Sequence, residues 1–395
     1  MLSDLQDRGP LGGDALSVRL RVLRISHSDV IRGWRGRQER LRERGGRITT
    51  VAPLVWAEGG GEVRLDPSEG ESLVGVRTIG RHPILFMYEM TRLIREIRRE
   101  KWDVLDVHEE PYSIAAAQVV LLARVFARSS AIICYSAQNI SRAHPAPFVW
   151  LRKRILSRID WLSVCSTGAA KVWEQFGFDA SRISVVGLGY DTNVFHPPLA
   201  DRPMVESPLR VVFAGRLREP DKGVEVLIRA LEVLPGVTLD VVGDGEDRAK
   251  IEELVRELGI DDRVQMRGHL RPAELADVYR SSDVAVVPSI DQSTWKEQFG
   301  RAAVEAMACE VATVVSDNEA LVEVVENRAL IVRQGDVGGL SYALGRLRDD
   351  PEFRRKLALD GANHVRSQFT WSVVGDMYVD LYERAIHYRR RGVAT

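Results

Sequence analysis

The sequence predicts an α/β protein of two Rossmann-like, doubly wound domains facing each other across a cleft. Three observations carry this. Short apolar, β-branched runs alternate with stretches of helical period from residue 19 to residue 389. Chains built that way form parallel sheets with helices on both faces. Prolines at 197, 198, 203 and 208 interrupt both periods and divide the chain in two. In the second half, strands run into glycine turns, Gly215 in FAGR and Gly243-Asp244-Gly245 in VVGDG, at the carboxyl ends where open α/β sheets bind ligands.

Residues 1–17 hold acids and glycines but no apolar segment, so they are expected to be a loose tail rather than a secretory signal. At 19–26 (RLRVLRIS) apolar residues alternate with arginine as in a strand. An Arg-rich helix over 35–44 stops at Gly45-Gly46, and a strand follows at 47–52. Residues 57–80 read as a loop with one or two short strands. A basic helix over 91–100 places Leu93, Ile94 and Ile97 on one side. Strands are expected at 104–107, 131–135, 162–165 and 183–186. The apolar stretch 113–127, broken by Gln118 and Arg124, is too short for a membrane span and reads as a buried helix. Residues 147–161 (PFVWLRKRILSRIDW) read as an amphipathic basic helix, suited either to an anionic membrane surface or to a core-facing position with a solvated basic edge.

The second half is plainer. Strands are expected at 211–214, 238–242, 263–267, 284–287, 311–315 and 329–332. Helices are expected at 222–234, 246–258, 272–281, 299–308, 319–326, 337–348, 352–367 and 371–389. The chain therefore divides into a tail (1–17), a first domain (18–200), a second domain (201–370) and a C-terminal segment (371–395) whose helix packs back on the first domain.

Composition narrows the function. With 45% hydrophobic and 28% charged residues the chain is a folding one. A net charge of -1 argues against nucleic acid as partner. The cysteines Cys134, Cys165 and Cys309 form no CxxC pair, so neither a zinc site nor a disulfide framework is expected, and a reducing, cytoplasmic setting fits. Charge is unevenly placed: residues 1–200 hold 28 basic and 22 acidic side chains, 201–395 hold 27 and 34. Either this is a matter of solvated faces, or the first domain meets something anionic.

Several residues carry candidate chemistry. Arg216 follows a strand, and Lys222 opens the next helix, where the dipole is already positive and a bound anion would relieve it. The alternative is a solvated lysine, with Arg216 paired to Glu219 or Asp221. Gly243 and Gly245 allow close backbone approach to a ligand, or serve only a tight turn. Glu297 and Glu305 stand eight residues apart in WKEQFGRAAVEAMA. Glu305 lies among apolar residues and needs donors, which sugar or ribose hydroxyls would supply, or else Arg301 one helical turn before it. Phe299 and Gly300 at the helix start offer backbone N–H groups to a diphosphate.

Taken in order, FAGRL with KG, VVGDG, GHLRPAELADVYRSSDVAVVPS and EQFGRAAVEAMA resemble the nucleotide-binding half of the family-4 retaining glycosyltransferases of GT-B fold. The Glu297/Glu305 pair matches that family's E-x7-E motif, and the match covers about 209–335. The first half is similar more loosely, through DVHEEP at 106–111, CYSAQN at 134–139 and VVGLGYDTNVFHP at 185–197. The resemblance is to actinobacterial members of uncertain acceptor.

The resemblance implies a nucleoside-diphosphate sugar as donor substrate, a hydroxyl acceptor, no cofactor, no metal, and front-face attack. It assigns Arg216 and Lys222 to the donor diphosphate, Glu297 to hydroxyls of the transferred sugar and Glu305 to the ribose. Phe299 and Gly300 would contact phosphate or sugar through the backbone, and Arg267, Gly268 and His269 would line the base beside Gly215, Gly243 and Gly245. His108, Glu109 and Glu110 follow a strand end and are expected to face the cleft; His108 and Glu109 with Gln138 and Asn139 make up the acceptor side, and Gln138 or Asn139 stands where many members carry a histidine. His27 invites the same reading. Departures from the family pattern are the missing Gly-Gly after the first strand, Glu310 in place of a glycine, and Asn318-Glu319 in place of Gly-Gly. Three functions stay open: a retaining glycosyltransferase, a sugar-nucleotide epimerase or phosphorylase on the same fold, and a binding or regulatory protein of impaired activity.

Overall fold

The computed structural model describes residues 20–58, 61–67, 70–142, 145–199 and 208–393. The expected tail, 1–17, and residues 200–207 of the expected boundary lie outside them.

In the first domain the elements run β1 (Arg21–Ile25), α1 (Gly36–Glu43), β2 (Arg47–Pro53), β3 (Val55–Glu58), β4 (Gly61–Arg64), β5 (Leu73–Val76), β6 (Thr78–Ile79), β7 (Met87–Tyr88), α2 (Met90–Arg98), β8 (Val104–Val107), α3 (Ile114–Phe126), β9 (Ala131–Ser136), α4 (Ala146–Leu156), β10 (Trp161–Val164), α5 (Thr167–Gln175) and β11 (Ile183–Val185). Seven strands form one parallel sheet in the order β11-β10-β9-β8-β1-β2-β5. The chain winds outward from β1 in both directions, which places ligand-binding loops near β1 and β8.

Successive strand residues point to opposite faces, and the core divides accordingly. Leu23, Ile25, Leu105, Val107, Ile132 and Leu162 pack against α2, α3, α4 and α5. Val22, Val104, Ala131, Ile133 and Trp161 pack on the other side against α1 and the last helix. That last helix, described below as α13, is tied down by polar contacts as well. Tyr382 donates from its hydroxyl to Asp106 Oδ2 at 2.8 Å, and Arg40 Nε donates to Asp376 Oδ1 at 2.9 Å.

The second domain follows as β12 (Leu209–Ala214), α6 (Val224–Glu232), β13 (Val237–Val242), α7 (Arg248–Glu257), β14 (Val264–Gly268), α8 (Pro272–Ser281), β15 (Val284–Val287), α9 (Arg301–Ala308), β16 (Ala312–Ser316), α10 (Glu319–Val325), β17 (Leu330–Val332), α11 (Val337–Asp349) and α12 (Pro351–Gln368), after which the chain returns to the first domain as α13 (Trp371–Val393). Its six parallel strands are ordered β14-β13-β12-β15-β16-β17. The chain crosses between the domains twice, and the two crossings touch: Tyr190 N donates to Phe369 O at 3.0 Å, and Phe299 meets Phe369 edge-on at 5.4 Å.

Some elements differ from expectation. Helix α6 begins at Val224, because Gly223 adopts a left-handed φ of 65° and caps it; Lys222 therefore sits in the preceding loop. Helix α4 ends at Leu156, and Trp161 opens β10. Within the expected loop 57–80 the chain makes the β3–β4 hairpin and the edge strand β5. Helix α5, unexpected from the sequence, is capped by the Ser166 hydroxyl, which accepts from Ala169 N.

Candidate active site

A cleft of about 1080 Å³ lies at the carboxyl end of the second sheet, and its wall is almost entirely second-domain. It is lined by Gly215 and Arg216 after β12, Lys222 before α6, Gly243 and Gly245 after β13, His269 after β14, Ser289 after β15, and Glu297, Gly300, Arg301 and Glu305 around the start of α9. Gly61, in the first domain's β3–β4 hairpin, also reaches it. Gly268 and Phe299 each lie one residue behind the wall. The Gly268 carbonyl accepts from Gly243 N at 2.8 Å, and the Phe299 ring is buried.

The glycine turns have a packing reason. Gly243 has φ 128°, and a Cβ there would lie 1.9 Å from the Gly215 carbonyl oxygen. At Gly245 it would lie 2.2 Å from the Leu217 carbonyl oxygen. The two turns press on each other, so the sequence's alternative of a tight turn is realised whether or not a ligand also approaches.

Four charged residues of the wall form two pairs, Lys222 with Glu297 and Arg301 with Glu305. Lys222 Nζ donates to Glu297 Oε2 at 2.7 Å and lies 4.6 Å from the centre of the Trp295 ring. Ser289 Oγ donates to the same Glu297 oxygen at 3.1 Å. Arg216 is exposed and has no ion pair among the described residues. Its expected partners are engaged elsewhere: Asp221 with Arg218 at 3.1 Å, and Glu219 with the backbone N–H of Val224 at 2.8 Å. Burial lifts the Glu219 carboxyl to about 7, its helix-cap hydrogen bonds opposing.

Glu305 is buried and accepts from Arg301 Nε at 2.6 Å. Burial raises its carboxyl above the usual range, and the Arg301 guanidinium opposes the shift. Arg301, the bland partner in the sequence reading, is thus a cleft residue in its own right.

The first domain meets expectation only in part. His108, Glu109 and Gln138 were expected on the cleft and are instead interior. His108 stacks on Tyr135 at 3.8 Å, and burial, with the Arg24 and His27 charges, holds its imidazole well below the ordinary range. Glu109 accepts from His27 N at 2.8 Å and the Tyr88 hydroxyl at 2.6 Å, and pairs with His27 Nδ1 at 2.6 Å. Gln138 Nε2 donates to Ile140 O. Each is spent on a contact inside the first domain: His108 on the Tyr135 ring, Glu109 on His27 and Tyr88, and Gln138 on the Ile140 carbonyl. Asn139 differs: its Nδ2 reaches across the cleft to the Glu297 carbonyl at 2.6 Å.

Two departures have local explanations. Asn318 caps α10, its Oδ1 accepting from Ala320 N at 3.0 Å, and Glu319 pairs with Lys171 of the first domain at 2.6 Å. Glu310 adopts a left-handed φ of 58° just past α9, a conformation that favours glycine.

Trp295 and Ser289 escaped the sequence reading, and Arg301 entered it only as a helical partner of Glu305. Ser289, closing VVPS after a strand, carried a positional signal. Among the described residues no helix is long and apolar enough to cross a membrane.

Two family models match the chain: Glycosyl transferases group 1 over residues 200–364, and Glycosyltransferase Family 4 over residues 38–194. The MMP alpha-(1->4)-mannosyltransferase of Mycolicibacterium hassiacum is 35% identical over 246 residues, covering 60% of this chain and 57% of that protein. The D-inositol 3-phosphate glycosyltransferase of Stackebrandtia nassauensis is 32% identical over 268 residues, covering 62% and 59%. This chain thus spans a little over half the length of these curated relatives. A solved sucrose-phosphate synthase from Thermosynechococcus elongatus superposes with a TM-score of 0.68 at 20% identity, covering 93% of this chain and 99% of that one. Anabaena Alr3699/HepE in complex with UDP gives 0.68 at 15% identity, covering 93% and 100%. At those identities the likeness is one of fold.

Proposed function

Because this chain belongs to the glycosyl transferases group 1 family, with the GT-B fold, we propose that it transfers a hexose, with retention, from a nucleoside-diphosphate sugar to a hydroxyl acceptor. The observation that carries this is the convergence of Arg216, Lys222, Glu297 and Glu305 on one cleft wall. The names of the relatives, mannosyl- and glycosyltransferases, support it, and the UDP bound by the Anabaena protein supports a nucleotide donor.

In this reading the diphosphate lies against Arg216 and Lys222, Glu297 receives sugar hydroxyls and Glu305 the ribose. The bond from the sugar C1 to the diphosphate oxygen breaks with its electron pair going to the diphosphate. The acceptor oxygen forms its bond to C1 on the same face, and its proton passes to a donor phosphate oxygen. Charge therefore grows on the diphosphate, where cations hold it best in the transition state. No metal is invoked; turnover is expected to survive EDTA.

Lys222 and Glu297 hold each other, so a diphosphate bound by Lys222 must draw it from Glu297. Glu297→Gln is then expected to abolish most transfer while nucleoside-diphosphate affinity stays level or rises. Calorimetry beside product analysis tests this; a clear loss of affinity would contradict the assignment. A second reading, a binding protein without transfer, is favoured by Asn318-Glu319 standing in place of a Gly-Gly turn. Nucleotide binding without hydrolysis or transfer to any acceptor would select it.

The acceptor side is proposed to meet an anionic membrane at the cytoplasmic face. The surface is wider than α4 alone. Trp150, 60% exposed, and Leu121, Val125 and Phe126 of α3 are solvent-facing. Lys153 and Arg154 on α4, Arg98 at the end of α2 and Arg128 just past α3 make no ion pair among the described residues. Arg152 is not part of it, being buried against the Phe176 ring. Lys153→Glu with Arg154→Glu is expected to abolish salt-sensitive flotation with anionic vesicles. No flotation of the wild type at low salt removes the idea.

A further inference from the structure

The donor wall carries a third cation to which neither the motif nor the charge pattern gives a role. Arg301 opens α9 directly after the left-handed Gly300, lines the cleft and is 38% exposed. Its Nε donates to Glu305 Oε1, and its guanidinium carbon lies 4.4 Å from the centre of the Trp34 ring. Trp34 ends the short 3-10 turn Arg32–Trp34 that follows β1 in the first domain. One guanidinium therefore joins a carboxylate of one domain to an aromatic face of the other. That use of both its edge and its face is specific to the planar arginine head. Among the described residues Glu305 has no other cation within hydrogen-bonding reach, and its Oε2 makes no protein hydrogen bond.

A ribose presents two adjacent hydroxyl donors. An ionised carboxylate fixed in one orientation accepts both; a protonated or swivelling one does not. A buried carboxylate left without its cation tends to take up a proton.

We propose that Arg301 is a positioning residue for the nucleotide ribose, fixing the Glu305 carboxylate so that its remaining acceptor sites meet the two hydroxyls, and that the Trp34 contact makes this orientation depend on the first domain. The proposal rests on the reading above in which Glu305 takes the ribose.

The test compares affinities for a ribonucleotide and its 2′,3′-dideoxy form. UDP, GDP and ADP are titrated by calorimetry, and the tightest binder is paired with its dideoxy analogue. In the wild type the ribose preference should be about 10- to 100-fold, the range for hydrogen bonds to a charged group. Arg301→Leu should bring the ratio toward unity by weakening the ribonucleotide alone. Arg301→Lys, which restores a donor, should recover part of it. Trp34→Ala should lower the ratio less than Arg301→Leu does. Thermal melts of each variant keep loss of fold apart from loss of recognition.

An unchanged ratio in Arg301→Leu overturns the proposal. So does an equal loss of both nucleotides, since Arg301 would then touch phosphate or base directly. An unchanged ratio in Trp34→Ala removes the dependence on the first domain. A collapse in Glu305→Ala but not in Arg301→Leu leaves the ribose reading standing and removes this proposal alone. An unchanged ratio in Glu305→Ala removes both.

Discussion

Arg216, Lys222, Glu297 and Glu305 line an open cleft at the strand ends of the second domain, whereas His108, Glu109 and Gln138, at similar strand ends of the first, are buried. The sheets are alike, and the difference lies in what the polar side chains hold. In the second domain the turns are closed by backbone packing, Gly243 on Gly215 and Gly245 on Leu217, which leaves long charged side chains for the cleft. In the first, side chains close the turns. Glu109 binds His27 and Tyr88, and Arg24 lies buried between Asp29 and Asp106, at 2.6 Å from each. The same kind of charge is therefore structural in one domain and available in the other.

The largest effect that would test this contrast is on stability. Arg24 is 1% exposed, and burial would depress its charge, but Asp29 and Asp106 more than offset that. Arg24→Leu leaves two buried carboxylates without a cation and should cost about 3–5 kcal/mol in urea unfolding. Arg229→Leu, which removes an arginine from the exposed pair with Glu225 on α6, should cost less than about 1 kcal/mol. Comparable losses for the two would break the contrast.

Activity should divide the other way. Lys222→Ala or Arg216→Ala removes a diphosphate contact from the proposed donor site, which is expected to lower turnover by about 10²–10³-fold with little change in melting. His108→Asn should lower the melting temperature and leave turnover within about tenfold, because its imidazole stacks in the interior. Loss of turnover in a well-folded His108→Asn would move that residue back to the acceptor side.

How much of this was readable in advance follows the same division. The second domain's elements and cleft residues were legible because the chemistry sits in contiguous strings at strand ends. Lys222–Glu297 was not, since its partners are 75 residues apart and either could have been solvated. The Arg301–Trp34 contact joins two domains and leaves no local trace. In the first domain, position after a strand was a sound guide to location along the sheet but not to burial, which depends on partners distant in sequence, as Glu109 on His27 and Tyr88. The β3–β4 hairpin was obscured by its glycines and charges, and α5 by its small residues, Gly168, Ala169 and Ala170, which weaken the helical period.

A pH series gives a smaller effect within the first domain. Burial, with the Glu109 charge adding to it, lifts Glu110 to about 7, against the hydrogen bonds from Ser136 and Ala137 and the charge of His27. Below the ordinary carboxylate range the group is protonated whether folded or not. From there to about 7 the folded chain binds more protons than the unfolded one, so stability falls as pH rises. Glu110→Gln removes this titration and keeps an acceptor for Ala137 N. Its advantage over wild type should be small at about pH 4.5 and reach about 3 kcal/mol by about pH 8. Glu219 titrates in the same window but is common to both proteins, so the difference between their melting curves isolates Glu110. A difference that shrinks as pH rises would contradict this account.

The smallest effect returns to the second domain, where turns are closed by backbone. Glu310 holds a φ of 58° and donates its N–H to Met307 O at 2.9 Å, closing α9 in the left-handed conformation without a glycine. A side chain there crowds the backbone, and glycine would relieve it at the cost of a looser unfolded chain. The net gain for Glu310→Gly should be about 0.5–1 kcal/mol, and Glu310→Asn should fall between, since asparagine tolerates this region better than glutamate. Glu310 does not line the cleft and has no ion pair among the described residues, so nucleotide affinity should not move. Melting curves of the three proteins, beside calorimetry with one nucleoside diphosphate, decide it. A stabilised Glu310→Gly with unchanged affinity supports backbone closure at this turn. A destabilised one means that the glutamate side chain holds the turn, as side chains do in the first domain.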